Sequence, residues 1–376
     1  MEPRPERLER LPEQYFARLL ARVSAAEASG EPLADLGRGN PDIPPPAHVV
    51  AALGEAAARA DTHGYAPFAG LPELKEAIAA RYRDVYGVAV DPEREVAVLP
   101  GSKTGLIEFA QVTAERGAAI VLPDPGYPDY RSAVAMAAAE HVALPLLDDG
   151  RPDWEAAPER AAALYLNYPS NPVAACAPDG VFEETVAWAQ RTRTWVLHDF
   201  AYGDLVFDGR RPRSFLATDG AREVGLELFS MSKSYGMAGW RLGFAIGNAE
   251  LVARIEDLQN HVFAGVFMPV QHAGIAALTG PQETVEERRA VYEARRDRVL
   301  ATLPSVDARS EGTFFMWFRL PEGITAERLL DEHRVAVAPG EGFGERGAGW
   351  ARLSLATPDD RLDVGLARLA EALRPA

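Results

Sequence analysis

Residues 226–243 read LELFSMSKSYGMAGWRLG, in which an apolar run leads into a serine- and glycine-rich loop that contains Lys233. A short apolar run bounded by turn-forming residues is typical of a strand buried on both faces. Ligands of open α/β sheets bind outside the carboxyl ends of the strands, which is where Lys233 would then lie. A lysine in such a partly desolvated cleft has a lowered pKa and reacts as a neutral amine. The alternative is a solvated loop lysine.

Lysine is rare in this chain. It occurs only at Lys75, Lys103 and Lys233, although Lys and Arg together number 39. The guanidinium of arginine stays protonated and delocalised, so arginine cannot form a Schiff base. Each lysine is therefore a candidate for a reaction that arginine cannot carry out.

Apolar runs recur along the chain and alternate with helical stretches at residues 104–115 and 182–191. The runs are rich in Val, Ile, Leu and Ala and rarely alternate with polar residues, which indicates strands buried on both faces. Helices between such strands predict β-α-β crossovers, so we expect an α/β fold with a mostly parallel sheet. The predicted strands are residues 96–99, 119–122, 163–166, 195–198, 226–229 and 242–246.

The chain has 376 residues, more than the roughly 250–300 at which a single core usually stops growing, so two domains are expected. Residues 47–268 are predicted to form the large domain. Residues 269–376, with a long charged helix at 283–302 and strands at 313–319 and 350–355, are predicted to form a small α+β domain. Residues 1–46 are expected to join the small domain. They include an amphipathic helix at 14–29, with Phe16, Leu19, Leu20 and Val23 on one face.

The composition excludes several classes of protein. The net charge of −16 disfavours a nucleic acid or an anionic membrane as partner. Cys176 is the one cysteine, which rules out an internal disulfide and fits a reducing compartment. Neither a signal peptide nor an apolar run long enough to span a membrane is visible. We therefore expect a cytoplasmic protein.

Polar residues follow three other predicted strands. A carboxylate such as Asp199, after residues 195–198, can pair with a protonated pyridine nitrogen or simply cap a helix. Asn171 offers a donor suited to a phenolate oxygen, although Asn-Pro is also an ordinary turn. The stretch GSKTG at 101–105 opens a helix whose N–H groups can bind an anion. It lacks the glycine spacing of a Walker A loop or a dinucleotide fingerprint.

Taken together, these segments resemble one family. The stretch 230–243 looks like the lysine signature of the class I and II aminotransferases, in the aspartate aminotransferase superfamily. The resemblance spans residue 36 to the C-terminus and implies pyridoxal 5'-phosphate (PLP) as cofactor, no metal, and fold type I with a seven-stranded sheet in the large domain. The variants at 101–103 and 199–202 are most similar to the diaminopimelate aminotransferase branch. Further matching motifs are Gly64-Tyr65 with Gly70 and Leu74, Asn171-Pro172, GTFF at 312–315 and ARLSLA at 351–356.

The resemblance implies roles for residues at matching positions. Lys233 would carry PLP as a Schiff base and then move the substrate proton, Asp199 would pair with the pyridine nitrogen, and Asn171 and Tyr202 would bind the ring 3-oxygen. Arg352 would bind the substrate α-carboxylate, with Gly39 and Asn171 beside it. Further cofactor contacts would be the ring-stacking Tyr127, the phosphate ligands Ser102, Lys103, Ser230 and Arg241, and Tyr65, which would reach the neighbouring subunit's cofactor. Tyr127 as a core aromatic, Tyr65 as an ordinary interface side chain and Arg352 as a surface cation are the alternatives.

The implied reaction is amino-group transfer between an L-amino acid and a 2-oxo acid, with ping-pong kinetics and a homodimer that shares its active sites. A β-lyase or oxidase on the same fold is the alternative. A regulator of this fold carries a DNA-binding module ahead of it, and about 35 residues are too few for one. The sequence departs from the family at Val173-Ala174, where Thr-Gly is common, and at Phe200, where an acidic residue is common. Asp42 or another carboxylate is a candidate acceptor of a basic substrate side chain.

Overall fold

The computed structural model describes residues 5–374. Strands and helices alternate through most of the chain, as expected of an α/β protein. The strands are β1 Ala34–Asp35, β2 Val96–Leu99, β3 Ala119–Asp124, β4 Glu140–Pro145, β5 Ala163–Asn167, β6 Trp195–Asp199, β7 Gly225–Ser230, β8 Gly243–Gly247, β9 Ala308–Arg309, β10 Phe315–Arg319, β11 Val335–Ala336, β12 Ala338–Pro339 and β13 Trp350–Ser354. The helices are α1 Glu6–Glu9, α2 Tyr15–Glu27, α3 Ala47–Ala57, α4 Pro72–Tyr86, α5 Ser102–Thr113, α6 Asp129–Met136, α7 Val181–Thr192, α8 Ala221–Val224, α9 Met231–Ser234, α10 Ala249–Val262, α11 Met268–Thr279, α12 Glu283–Thr302, α13 Ala326–His333 and α14 Asp359–Ala372.

The predicted α/β fold with a seven-stranded, mostly parallel sheet is confirmed. The strand order is β2-β8-β7-β6-β5-β3-β4, and only β8 runs against its neighbours. Strand residues pack alternately on the two faces of the sheet. Val121 faces a core built with α4, α7 and α11, and Leu122 faces a core built with α5, α6 and α10. Burial on both faces explains why these strands lack a polar face.

Strand direction brings the chemistry-bearing loops to one edge of the sheet. The strands β3, β5, β6 and β7 are parallel, and β2 runs with them because both β2 and β7 are antiparallel to β8. Their carboxyl ends therefore meet at the same edge, where β8 begins. The segments that follow β2, β3, β5, β6 and β7 and precede β8 all converge there.

A second core lies around a smaller antiparallel sheet of order β12-β13-β10-β9. Helices α12, α13 and α14 contribute to this core, and so does Leu36 from the N-terminal part of the chain. Strand β1 pairs in parallel with β11, which ties the N-terminal segment to this part of the structure. Helix α11 instead packs on α3 and α4 in the core of the large sheet, and the domain boundary at residue 268 stays a prediction.

Within residues 5–374, no helix is both long and apolar enough to cross a membrane. The long charged helix predicted at residues 283–302 is observed with the same limits as α12. Its buried positions include Val285, Tyr292 and Val299, which are seven residues apart and lie on one face of the helix.

Candidate active site

A cavity of about 670 Å³ lies at the carboxyl edge of the large sheet, between this sheet and the smaller one. Its lining comes from three parts of the chain: the N-terminal segment, the large-sheet loops and the small sheet. The sequence-predicted residues that line it are Gly39, Ser102, Lys103, Tyr127, Asn171, Asp199, Tyr202, Ser230, Lys233, Arg241 and Arg352. Tyr65 does not line this cavity. Its side chain is 88% exposed on the surface of the chain.

Lys233 lies in α9, a single helical turn that follows β7. Ser230 caps this turn, because its hydroxyl accepts a hydrogen bond of 3.3 Å from the backbone N–H of Ser232. The Lys233 Nζ atom lies 5.1 Å from the ring centre of Phe314 and 5.7 Å from that of Tyr202. Burial lowers the pKa of Lys233 to about 8, and the guanidinium groups of Arg352 and Arg241 act in the same direction. A substantial fraction of this amine is therefore neutral near pH 8.

Asp199 is the last residue of β6 and is buried. Its Oδ2 atom accepts a hydrogen bond of 2.8 Å from the Tyr130 hydroxyl, and its Oδ1 atom accepts one of 3.2 Å from the Ala201 N–H. Burial raises the pKa of Asp199, and the hydrogen bond from Tyr130 opposes this rise. The carboxylate is thus placed to hold a cation in the cavity. Such a cation would lower the pKa of Asp199 towards the value usual for an aspartate.

The loop between β2 and α5 meets Arg241, and together they form a group of anion-binding donors. Ser102 is the first residue of α5, so the unpaired N–H groups of the helix start lie beside its hydroxyl. Gly101 has φ +88°, and a Cβ there would overlap the Arg241 guanidinium. Arg241 itself has φ +56° and donates to the Ala238 carbonyl oxygen at 2.9 Å. Lys103 forms an ion pair of 2.8 Å with Asp129.

Arg352 lies on β13 and is only 1% exposed. Its Nη1 atom donates to Asn171 Oδ1 at 2.7 Å and its Nη2 atom to the Gly37 carbonyl oxygen at 3.3 Å. Its guanidinium carbon lies 3.8 Å from the ring centre of Phe315. Burial lowers the pKa of Arg352 to about 10. This value is still well above 7, so the side chain remains a cation at neutral pH. Asn171 is fixed by its own N–H, which donates to Asn167 Oδ1 at 2.7 Å.

Among the residues of the site that were not predicted from the sequence are Tyr130 and Phe16. Tyr130, which binds Asp199, is the second residue of α6 and follows Tyr127 by three residues, and its backbone N–H donates to the Tyr127 carbonyl oxygen at 3.1 Å. That spacing was the available signal. Phe16 was assigned to an amphipathic helix but not to the cavity, where its ring centre lies 5.9 Å from that of Tyr127 and 5.3 Å from the Arg352 guanidinium carbon.

The suggestion that Asp42 receives a basic substrate is not supported. Its carboxylate accepts hydrogen bonds of 2.8 Å from Arg295 and 3.2 Å from Tyr292, and it does not line the cavity. An acid that is already paired with an arginine offers little to a second cation. The distance along the sequence from Asp42 to its arginine hid this pairing.

The donor set fits PLP. The start of α5, the hydroxyls of Ser102 and Ser230 and the Arg241 guanidinium suit a phosphate dianion. Asp199 suits a ring nitrogen, and Lys233 suits an aldehyde. Fold and site together define a PLP-dependent transferase.

Comparison with known proteins identifies the family. The family model described as "Aminotransferase class I and II" matches residues 31–369, and the chain belongs to this family. It is 43% identical to the L-glutamine--4-(methylsulfanyl)-2-oxobutanoate aminotransferase of Bacillus subtilis over 97% of this chain and 95% of the relative. It is 38% identical to an LL-diaminopimelate aminotransferase of Dehalococcoides mccartyi over 97% of each chain. The substrate-bound structure of BacF from Bacillus subtilis superposes with a TM-score of 0.95 at 37% identity, over 100% of this chain and 99% of that one.

The comparisons confirm the predicted activity and cofactor. The protein is an aminotransferase that moves amino groups between amino acids and 2-oxo acids, and it uses PLP. The fold also extends to Thermus thermophilus aspartate aminotransferase, whose double mutant superposes with a TM-score of 0.92 at 30% identity, over 99% of this chain and 100% of that one.

Proposed function

We propose that this protein is a ping-pong aminotransferase in which Lys233 holds the cofactor and moves the proton, Asp199 holds the ring nitrogen and Arg352 holds the substrate. The observation that carries the proposal is that these three side chains, from three distant parts of the sequence, line the same cavity. Each has the properties that its role requires: an amine with a lowered pKa, a buried carboxylate that accepts hydrogen bonds from the neutral donors Tyr130 and Ala201, and a buried cation.

When bound, PLP supplies the aldehyde that exchanges amino groups and the protonated ring that withdraws electrons from the reacting carbon. Asp199 favours protonation of the ring nitrogen, because a buried carboxylate stabilises a cation beside it. Lys233 is the base. Its neutral amine accepts the proton from the substrate α-carbon and returns it as the ammonium form. The lowered pKa places both forms within reach near neutral pH.

Arg352 orients the substrate. Its planar guanidinium presents two parallel N–H groups to the α-carboxylate, and Asn171 and Gly37 fix the plane of the group. Gly39 belongs to the same end of the site, since a Cβ there would lie 3.0 Å from Phe315 and 3.7 Å from Arg352. With Asn171 Oδ1 used by Arg352, the amide N–H groups of Asn171 are the donors for the ring 3-oxygen, together with the Tyr202 hydroxyl.

We also propose a homodimer in which Tyr65 reaches the partner's cofactor. Support comes from the exposure of Tyr65 and of nearby apolar side chains on the surface of one chain. Phe68, Val262 and Phe267 are 46%, 68% and 51% exposed, and Gly265 adjoins Ala66 and Pro67. Exposed apolar groups that cluster in this way are typical of an interface.

The test is to trap the lysine. Borohydride reduction of the PLP-loaded protein followed by peptide mass analysis should place the pyridoxyl group on Lys233, and not on Lys75 or Lys103. Lys233→Ala should abolish transamination, whereas Lys75→Arg, which keeps the pairing of Lys75 with Glu256, should leave it unchanged. The assay uses the compounds after which the two relatives are named. These are L-glutamine and 4-(methylsulfanyl)-2-oxobutanoate for the first and LL-diaminopimelate for the second. Label on another lysine, or turnover in Lys233→Ala, refutes the proposal.

A further inference from the structure

One wall of the cavity is the apolar face of α2. Phe16, Leu19, Leu20 and Val23 all line the cavity, at the i, i+3, i+4 and i+7 spacing of one helix face. Leu20 is 42% exposed although it faces the cavity, and Phe16 and Leu19 are only partly buried. Three apolar side chains thus keep surface that an apolar ligand would cover.

This wall is held from both sides. At the start of α2 the Gln14 amide donates to Asp129 Oδ1 at 2.7 Å, and Asp129 also pairs with Lys103. The Tyr15 hydroxyl donates to the Pro339 carbonyl oxygen at 2.7 Å in the small sheet. Further along, Val23 packs in a cluster with Leu330 and Ala336. These contacts fix α2 in position as one wall of the cavity.

The apolar wall lies next to Arg352, which is the proposed binding residue for the substrate α-carboxylate. The Phe16 ring centre is 5.3 Å from the Arg352 guanidinium carbon and 5.9 Å from the ring centre of Tyr127. The proposed roles of Arg352 and Lys233 account for the α-carboxylate and the amino group of the substrate. The substrate side chain is then the remaining group that needs a binding surface. The free surface beside Arg352 is the apolar face of α2.

The charged groups of the lining that lie away from the reacting centre are already paired. Arg38 forms an ion pair with Asp35, and Lys103 forms one with Asp129. Arg241 belongs to the phosphate end and Arg352 to the α-carboxylate. Among the described residues that line the cavity, no unpaired cation is left for a distal carboxylate, and no unpaired acid beyond Asp199 is left for a distal ammonium group.

We infer that Phe16, Leu19, Leu20 and Val23 form the side-chain subsite and that the enzyme prefers substrates with neutral, apolar side chains, either aliphatic, thioether or aromatic. The inference rests on the proposed roles of Arg352 and Lys233. An apolar wall discriminates by desolvation, because a charged side chain that enters it loses hydration without gaining a partner.

The experiment compares kcat/KM of the PLP-loaded enzyme for methionine, leucine and phenylalanine with that for aspartate, glutamate and LL-diaminopimelate. We expect at least about a tenfold preference for the apolar group, the range that pocket contacts of this size supply. Calorimetry should show that 4-methylpentanoate binds more tightly than glutarate. This comparison tests the same preference without turnover. If no donor reacts at all, the proposed function fails. If turnover is good but the charged donors or glutarate are preferred, only the subsite assignment is overturned, and a cation from the partner subunit becomes the explanation.

Variants of α2 separate specificity from folding. Leu20→Ala should lower kcat/KM for methionine several-fold while leaving that for alanine, whose methyl group is too short to reach this wall, nearly unchanged. Leu20→Arg should shift the preference toward glutamate. Ala21→Arg is the matched control, since Ala21 is exposed on the same helix and does not line the cavity. Equal losses for alanine and methionine in Leu20→Ala, or the same shift in Ala21→Arg, would overturn the inference.

Discussion

The charge state of Lys233 follows from what surrounds it. Burial disfavours the ammonium form, Arg352 and Arg241 repel it, and only Asp199 favours it. The pKa is therefore near 8, rather than the value of about 10.5 that is usual for lysine. The amine becomes reactive well below the pH at which a surface lysine would.

This charge state predicts the pH dependence of cofactor attachment. Only the neutral amine attacks an aldehyde, so the attachment rate in apo-enzyme should rise about tenfold per pH unit up to about pH 8 and level off above it. Stopped-flow absorbance after mixing with PLP measures this rate, with Nα-acetyl-lysine as the unperturbed reference. A rate that continues to climb to pH 10 would show that the amine is not desolvated.

Tyr130 is expected to position and tune Asp199. Tyr130→Phe removes the hydrogen bond that lowers the pKa of the carboxyl group, so Asp199 should protonate at higher pH. The acid limb of the kcat/KM profile should then move upward in pH, with roughly a tenfold loss at neutral pH, about 1.4 kcal/mol. Tyr165→Phe is the control, because Tyr165 is also buried but donates to the Leu106 carbonyl oxygen. Identical profiles for the two variants would exclude this role.

The sequence could identify Lys233, Asp199, Asn171 and Arg352 as candidates because each follows or belongs to a predicted strand within a recognisable motif. It could not show that Tyr130 binds Asp199, because the two residues are 69 positions apart and meet only through the packing of α6 against the sheet. The pairings of Lys103 with Asp129 and of Asp42 with Arg295 were hidden in the same way.

At the scale of elements, the turn from β2 into α5 depends on the absence of a side chain at Gly101. Gly101→Ala would both strain the left-handed backbone and displace the Arg241 guanidinium. Gly117→Ala shares the left-handed backbone, with φ +77°, but has open space around it. We expect both variants to lose about 1–2 kcal/mol of unfolding free energy. Only Gly101→Ala should weaken PLP binding, by about tenfold or more through the lost charge-assisted contact.

Denaturant unfolding and fluorescence titration with PLP measure these two quantities separately. Equal affinities for PLP in the two variants would mean that Arg241 does not hold the phosphate. Loss of affinity in Gly117→Ala alone would place the phosphate elsewhere.

Strands that are more completely buried were easier to predict from the sequence. The run at residues 96–99 became β2 without change, because a strand buried on both faces has an unbroken apolar sequence. Strand β4 was missed. It is one of the two edge strands, and its exposed Glu140, His141 and Ala143 do not form the apolar run that was sought. The two-residue strands β1, β9, β11 and β12 are too short to leave any periodic signal.

At the scale of the whole molecule, Tyr65 offers a test of shared active sites. Co-expression of Tyr65→Ala and Lys233→Ala chains with different tags gives dimers that carry one lesion in each subunit. If Tyr65 serves the partner's site, one site of each mixed dimer has both lesions and the other has none. Random pairing should then restore about a quarter of wild-type sites. If Tyr65 serves its own site, the mixed dimers recover nothing, and size-exclusion chromatography shows separately whether dimers form.

The cytoplasmic location inferred from a single cysteine, the homodimer and the three-part division of the chain stay predictions. One chain's fold follows from its own pattern of burial, whereas its partners and compartment depend on surfaces that the pattern does not encode. The N-terminal segment shows the difference. Its amphipathic face predicted a helix, but only the tertiary structure shows that this face borders a cavity.

The enclosed position of Arg352 has a consequence for how the enzyme behaves among ordinary metabolites. In the described chain no acidic side chain lies within 4.0 Å of its guanidinium, so a full positive charge is sequestered without a counter-ion. Any small organic acid that fits will relieve that penalty. We expect acetate or propionate buffers to raise the melting temperature and to compete with substrate, and laboratory rate constants for this enzyme to depend on which anion the buffer contains.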